Sequence, residues 1–152
     1  MRISAKVDYA MRAMTELAAA PDGASVKAER IAELQGIPLQ FLQNILQDLR
    51  RAGLVESHRG RDGGSALAKP AEEITVADVI RAIDGPLGAV AGVAPEQVDY
   101  RGAAARLRET WVAVRAGVRD VLEQITVADI AHDALPENVE ELLASPGAWT
   151  RR

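Results

Sequence analysis

Apolar residues recur near the start of the chain at Val7, Ala10, Met11, Met14, Leu17 and Ala18. Steps of three and four put them on one face of a helix. Ser4 is placed to cap that helix, and Pro21 ends it. After the turn "PDGAS", the stretch "KAERIAELQG" predicts a short helix with Ile31, Ala32 and Leu34 inward, stopped by a left-handed Gly36. "IPLQFLQNILQDLRRAG" predicts a third helix, with Pro38 at its first position and Gly53 beyond its end. Its buried face would hold Phe41, Leu42, Ile45, Leu46 and Leu49. Two helices joined by a glycine-containing turn of about three residues make a helix-turn-helix, although a plain helical hairpin in a bundle fits the same pattern. The next segment favours the first reading. "LVESH" and "SALAK" are short β-prone runs separated by "RGRDGG", and a hairpin directly after a helix-turn-helix makes a winged helix.

"EEITVADVIRAIDG" predicts a further helix, capped by Thr75 and Asp78, with Ile74 and Val79 as a hydrophobic staple. Residues 84–99 are punctuated by Gly and Pro and read as irregular, either a connecting linker or a loop that packs on something. From Tyr100 to Ile125 the pattern predicts the longest helix, about 38 Å at 1.5 Å per residue. Tyr100, Ala104, Leu107, Trp111, Val114, Val118, Val121 and Ile125 fall four and three apart in alternation, an unbroken heptad seam. A lone helix with a narrow seam calls for a second copy of itself, aided by the small Ala113, Ala116 and Gly117; the alternative is packing on its own core. "ITVAD" at 125–129 repeats 74–78 and reads as reuse of a capping sequence rather than an internal repeat. The tail predicts one short amphipathic helix and frays beyond Pro146. The expected organisation is a winged helix-turn-helix domain at 1–83, a loop at 84–99, a dimerisation helix at 100–125, and a C-terminal helix and tail at 126–152. The fold class is mainly α with a small β-hairpin.

Composition narrows the chemistry. Of the 152 residues 48% are hydrophobic but only 3% aromatic, so the core must be aliphatic. No run approaches the roughly 20 apolar residues of a membrane span, and "MRISAKVDYAMRAM" is amphipathic, so a cytoplasmic protein without a membrane partner is expected. The chain has no cysteine and two histidines, His58 and His132. Disulfides and thiolate ligands are therefore excluded, and neither a metal nor another cofactor is expected. No nucleophile, base and acid are grouped, so an enzyme is not expected. Residues 1–70 hold ten Lys/Arg against eight Asp/Glu, a net +2, while residues 71–152 hold eight against fourteen, a net −6. A basic front and an acidic back suit a protein that turns one end toward a polyanion; with the helix-turn-helix and wing, the expected partner is double-stranded DNA.

On the second helix of the pair, Gln40, Gln43, Asn44 and Gln47 share the polar face. Such amides can pair bidentately with adenine in the major groove. Arg50 and Arg51 follow near the helix end, where phosphates or the dimer mate are more suitable targets than bases. Arg59 and Arg61 flank Gly60 in the hairpin and suit a narrow minor groove, with His58 beside them. Arg2 and Lys6 add positive charge at the amino end. A nucleotide-phosphate loop is the competing reading of "GRDGGS", but the glycine spacing is wrong and no helix opens after it.

Taken together, "MRISAKVDYAMRAMTELA" and "IAELQGIPLQFLQNILQDLRRAGLVESHRGRDGGSALAKPAEEITVADVIRAIDGPL" resemble the Rrf-two family of bacterial winged-helix regulators. The resemblance covers roughly residues 1–90 and the long helix after them. It implies a homodimer that binds operator DNA as a transcriptional regulator, a repressor by expectation, with the long helices crossing. Leu107, Trp111, Val114, Val118, Val121, Tyr100 and Ile125 would form that contact. Many members sense iron–sulfur status or nitric oxide through three cysteines just before the long helix. Here that stretch reads "AVAGVAPEQVDYRGAAARL" and has none. Asp8 stands where one such sensor is thought to supply an oxygen ligand, but without thiolates it cannot hold a cluster. A small metabolite or a protein partner is the expected effector, acting on the 84–99 loop. The family's wing usually carries an aromatic after the double glycine. Ser65 and Ala66 replace it, so weaker wing packing is expected. An interaction module that has lost DNA binding is the alternative.

Overall fold

The Ser4 hydroxyl accepts the Val7 amide at 3.1 Å and starts α1, Ala5–Ala18. Val7, Ala10, Ala13, Met14 and Leu17 are buried along its face. The computed structural model describes residues 2–150, and within them α2 runs Ala28–Gln35 and α3 Leu39–Arg51. Gly36 adopts φ +63 and stops α2 as expected. Pro38 falls one place earlier than predicted, as the cap of α3 rather than its first residue. Leu42, Ile45, Leu46 and Leu49 form the buried stripe of α3.

Two predicted core residues face outward. Leu34 is 48% exposed and Phe41 42%. Phe41 sits at the margin of the α3 stripe and meets Tyr9 edge-on, with ring centroids 5.9 Å apart and planes at 86°. Its place in the stripe falls to Leu42, which is fully buried.

The wing is an antiparallel pair, β1 (Val55–His58) and β2 (Gly64–Leu67), with Val55 opposite Leu67 and His58 opposite Gly64. β2 is bonded on both edges. Val26, between α1 and α2, donates to the Ser65 carbonyl at 2.8 Å and accepts the Ser65 amide at 2.9 Å. This corrects the expectation of loose wing packing. Ser65 and Ala66 are 6% and 4% exposed, so small residues are what lets β2 lie close to its neighbours. A Cβ at Gly64 would stand 2.5 Å from the Val26 carbonyl oxygen, so this glycine answers to a close approach rather than to a special dihedral.

α4, Val76–Asp84, opens with the predicted capping box: Thr75 Oγ1 accepts the Asp78 amide and Asp78 accepts the Thr75 amide, both at 3.1 Å. Ile74 and Val79 are both fully buried. The second "ITVAD" forms the same box before α6, Val127–Ala131. The two copies then lie side by side, since the Val76 amide donates to the Ile125 carbonyl at 2.8 Å and the Val127 amide to the Ile74 carbonyl at 2.9 Å. Beyond reuse of a cap, the repeat thus supplies a reciprocal antiparallel bridge. Val127 joins the core of α1, α3 and α4, alongside Met14, Leu49 and Ile74.

The long helix is shorter than its heptad pattern. α5 runs Leu107–Leu122, about 24 Å long. Arg101 is extended and Gly102 takes φ +59, so residues 102–104 form a separate tight turn. Tyr100 and Ile125 therefore lie outside the helix. The 84–99 segment is a loop that packs, the second of the two expected forms. Val90 and Val93 exchange backbone hydrogen bonds across Ala91 and Gly92, both at positive φ, and Leu87 and Pro95 are buried. The tail holds α7, Glu137–Ala144, and the Trp149 indole N–H donates to the Leu143 carbonyl. Met1 and the last two residues of the predicted tail, 151 and 152, lie outside the described residues. No helix of the described residues is long and apolar enough to cross a membrane.

Gly64→Ala is expected to destabilise the protein by about 1–3 kcal/mol, because backbone must move to admit the methyl group; urea unfolding would read it, and an unchanged midpoint would refute the close approach. Thr126→Ala is expected to cost about 1 kcal/mol through loss of the cap, with the whole winged-helix unit unfolding earlier in a single transition, because α6 is seated in its core.

Candidate nucleic-acid interface

Gln40, Gln43, Asn44 and Gln47 are all exposed on α3, at spacings that keep them on one face with Arg51. Opposite them runs the buried Leu42–Leu49 stripe, so core packing fixes the direction in which the amides point. The first turns of α2 and α3 have no side-chain cap: Lys27 and Pro38 occupy those positions and leave amide groups open.

The basic residues divide into bound and free. Lys6 Nζ lies 2.7 Å from Asp48 Oδ2 and ties α1 to α3; its ammonium holds the Asp48 carboxyl below the usual carboxylate range. Arg51 reaches the same carboxylate at 3.2 Å. Arg50 turns away from the amide face, donating to the Ser57 hydroxyl in β1 and to the Leu46 carbonyl. Lys6 and Arg50 are thus committed within the molecule, contrary to the expectation that they stand free for DNA. For Lys6 the carboxylate of Asp48 on α3 is the one signal in the sequence; the tie of Arg50 to Ser57 leaves none. Arg2 is exposed just ahead of the Ser4 cap.

At the wing, Arg59 and Arg61 are exposed, and neither has a carboxylate within salt-bridge distance among the described residues. His58 Nε2 lies 2.8 Å from Glu56 Oε1. Gly60 takes φ +108, and the Gly63 amide closes the turn on its carbonyl at 3.1 Å. A Cβ at Gly63 would lie 2.5 Å from the His58 carbonyl oxygen. Ser25 steadies the tip by donating to the Asp62 carbonyl at 2.7 Å, a contact the sequence reading missed. Also missed was a small exposed cluster on α1, where the Arg12 guanidinium lies 5.5 Å from the Tyr9 ring centre, beside Phe41.

α5 is the second distinctive surface. None of its residues is buried, and Leu107, Trp111 and Val114 are 37%, 38% and 51% exposed. Val118 and Val121 are half-buried. Of the predicted seam, these five remain on the helix. Two ion pairs hold α5 to the rest: Arg81 to Glu123, and Arg115 to Glu96 at 2.7 Å.

The family model for Rrf2, described as an iron-dependent transcriptional regulator, matches residues 3–133. The chain is 51% identical over 142 residues to Rv1287 of Mycobacterium tuberculosis H37Rv, a helix-turn-helix-type transcriptional regulator, covering 93% of this chain and 88% of that one. Among solved structures it is similar to CymR of Bacillus subtilis, the global cysteine regulator of that organism, with TM-score 0.75 and 32% identity over 88% of this chain and 98% of CymR. It is similar to IscR of T. potens with TM-score 0.71 and 32% identity, covering 88% of each chain. The donor set does not fit iron. The chain has no cysteine, no three His, Asp or Glu side chains among the described residues are grouped to hold a metal ion, and Asp8 is paired to Arg12 at 2.6 Å. With its helix-turn-helix, its wing and these relatives, the chain belongs to the Rrf2 family and is a DNA-binding transcriptional regulator of the winged-helix class.

Proposed function

We propose that the chain works as a homodimeric repressor whose α3 enters the major groove and whose wing enters the adjoining minor groove. The observation that carries this reading is the exposed amide row Gln40, Gln43, Asn44 and Gln47 on a helix whose opposite face is locked in the core. Amides read adenine edges, while Arg59 and Arg61 at the wing have no ion-pair partner among the described residues and suit the negative potential of a narrow minor groove. Arg2, the open amides at the starts of α2 and α3, and Arg51, still 69% exposed beside Asp48, supply phosphate contacts. His58 sits at the same wing, and Lys6 and Arg50 contribute by holding α3 to α1 and to β1. Such a protein works in the cytoplasm, where its DNA is.

Dimerisation rests on α5, where the exposed Leu107, Trp111 and Val114 continue into the half-buried Val118 and Val121. Two copies would set their recognition helices about one DNA turn apart. The effector acts through the 84–99 segment, which α5 holds through Arg115 and Glu96. It is a small molecule or a protein, since the donor set does not suit iron.

Selection of bound sites from random double-stranded DNA is expected to return a palindrome with half-site centres about 10–10.5 bp apart; no enrichment even at low salt would favour an interaction module instead. Arg59→Ala is expected to weaken binding to the selected site roughly tenfold and to lower the slope of log affinity against log salt by about one, and an unchanged affinity would remove the wing from the interface. Val114→Glu, at an exposed position, is expected to give a folded monomer in sedimentation velocity with much weaker operator binding; a dimer of unaltered strength would place the contact elsewhere.

A further inference from the structure

Among the side chains of α3, Asp48 is the single carboxylate. It stands four places on from Asn44 and three before Arg51, so it borders the amide row at helical spacing. A negative charge there works against binding, because the phosphates of a duplex repel it. Core packing does not call for it either. The buried stripe is Leu42, Ile45, Leu46 and Leu49, and the Asp48 side chain, 26% exposed, lies outside that stripe.

Both of its oxygens are turned to cations. Oδ2 takes Lys6 Nζ from α1 at 2.7 Å, and Oδ1 takes Arg51 Nη1 at 3.2 Å. The two cations are left in different states. Lys6 is a point charge, 36% exposed, whose ammonium is spent on the carboxylate. Arg51 is 69% exposed and keeps the rest of its donor fork for another acceptor. Ion pairs this exposed stabilise a fold only weakly. α1 and α3 already share the core at Met14 and Leu49, so tying them together is not the only consequence of the pair.

We propose that Asp48 is a specificity-determining residue: it withdraws Lys6 from the phosphates and sets the direction of Arg51, so that binding depends on the seating of α3 against the bases. The role rests on the reading in which α3 enters the major groove. Phosphate attraction is the same for every sequence and supplies nearly all non-specific binding. A free Lys6, four residues on from Arg2, would strengthen attachment to any duplex. The direction of Arg51 matters only in the seated complex, where phosphate contacts fix register. One carboxylate therefore lowers affinity for random DNA while it supports affinity for the operator. A carboxylate can also accept from the amino group of cytosine in the major groove, but Asp48 already spends both oxygens inside the protein.

The test compares full-length protein on its selected operator and on a scrambled duplex of equal length, across a salt series. Asp48→Asn is expected to bind the scrambled duplex about fivefold more tightly and to steepen its slope of log affinity against log salt by about one, with operator affinity unchanged within about twofold. Adding Lys6→Gln to that variant is expected to restore the parental slope, which identifies Lys6 as the cation released. Asp48→Gln is a second variant without the carboxylate, and thermal melts establish which variants are folded. Parallel loss on both duplexes with an unaltered slope, or failure of both Asp48 variants to fold, would make the residue structural and overturn the role. So would an equal gain on both duplexes, or a changed preference at one base position on reselection, which would mean direct reading by Asp48. A parental protein that prefers no sequence removes the major-groove reading and this role with it. A parental preference that Asp48→Asn leaves undiminished removes this role alone.

Discussion

The reciprocal backbone bridge between the two "ITVAD" segments decides how this chain is put together. The amides of Val76 and Val127 each donate across to the carbonyl of the residue before the other segment's cap, Ile125 and Ile74. Each bond is worth only about 1 kcal/mol net, but the pair closes a long excursion of chain. Residues 84–124 leave the winged-helix unit at the end of α4 and return to it beside the start of α4. Both ends of α5's excursion are thus anchored to the same capped helix. Thr75 and Thr126 then start α4 and α6 on either side of the bridge, and Val127 completes a core whose other walls are Met14, Leu49 and Ile74.

That closure explains why α5 can remain so exposed. A helix of 16 residues with no buried side chain would be marginal alone in water. Here its ends are fixed by the bridge and by the loop, and its flank by Arg81 with Glu123 and Arg115 with Glu96. Exposed ion pairs are individually weak. Their value here is directional: they select one orientation of an already tethered helix and leave Leu107, Trp111 and Val114 facing outward. At the other end of the unit a similar division holds. Asp48 gathers Lys6 and Arg51, Arg50 spans to Ser57, and Val26 grips Ser65. Charges committed to holding α1, α3 and the wing in register leave Arg59, Arg61 and the amide row as the groups without internal work.

Periodicity and capping chemistry made much of this legible. The helix-turn-helix, its Gly36 stop, the hairpin after it and both capping boxes follow from local rules that operate within a few residues. The errors arise where a distant partner decides. Phe41 and Leu34 have helical spacing that suits a core, but Leu42 already fills the stripe. The heptad from Tyr100 to Ile125 is unbroken as a pattern, yet Gly102 turns the backbone the wrong way for a helix. Lys6 and Arg50 look like free cations until Asp48 and Ser57 are brought to them by tertiary packing. The bridge between the "ITVAD" copies was visible as a repeat and still not readable as a contact. Antiparallel pairing across some fifty residues leaves no periodic trace.

The absence of thiolates acquires a physical sense from the 84–99 segment. A loop of this kind needs something to hold it, since free loop backbone has entropy to lose and little to bury. Here the chain supplies that itself. Val90 and Val93 pair across a two-residue turn, Leu87 and Pro95 are buried, and Glu96 and Gly88 clasp Arg115 from two sides. The turn accepts Ala91 at φ +50, an uncommon conformation for a residue with a side chain. Such a conformation persists only where neighbouring contacts enforce it. The loop is therefore ordered by its own packing, with no metal ligand needed to close it. At the outer edge of that packing the nearly buried Arg115 meets the exposed carboxylate of Glu96 at 2.7 Å.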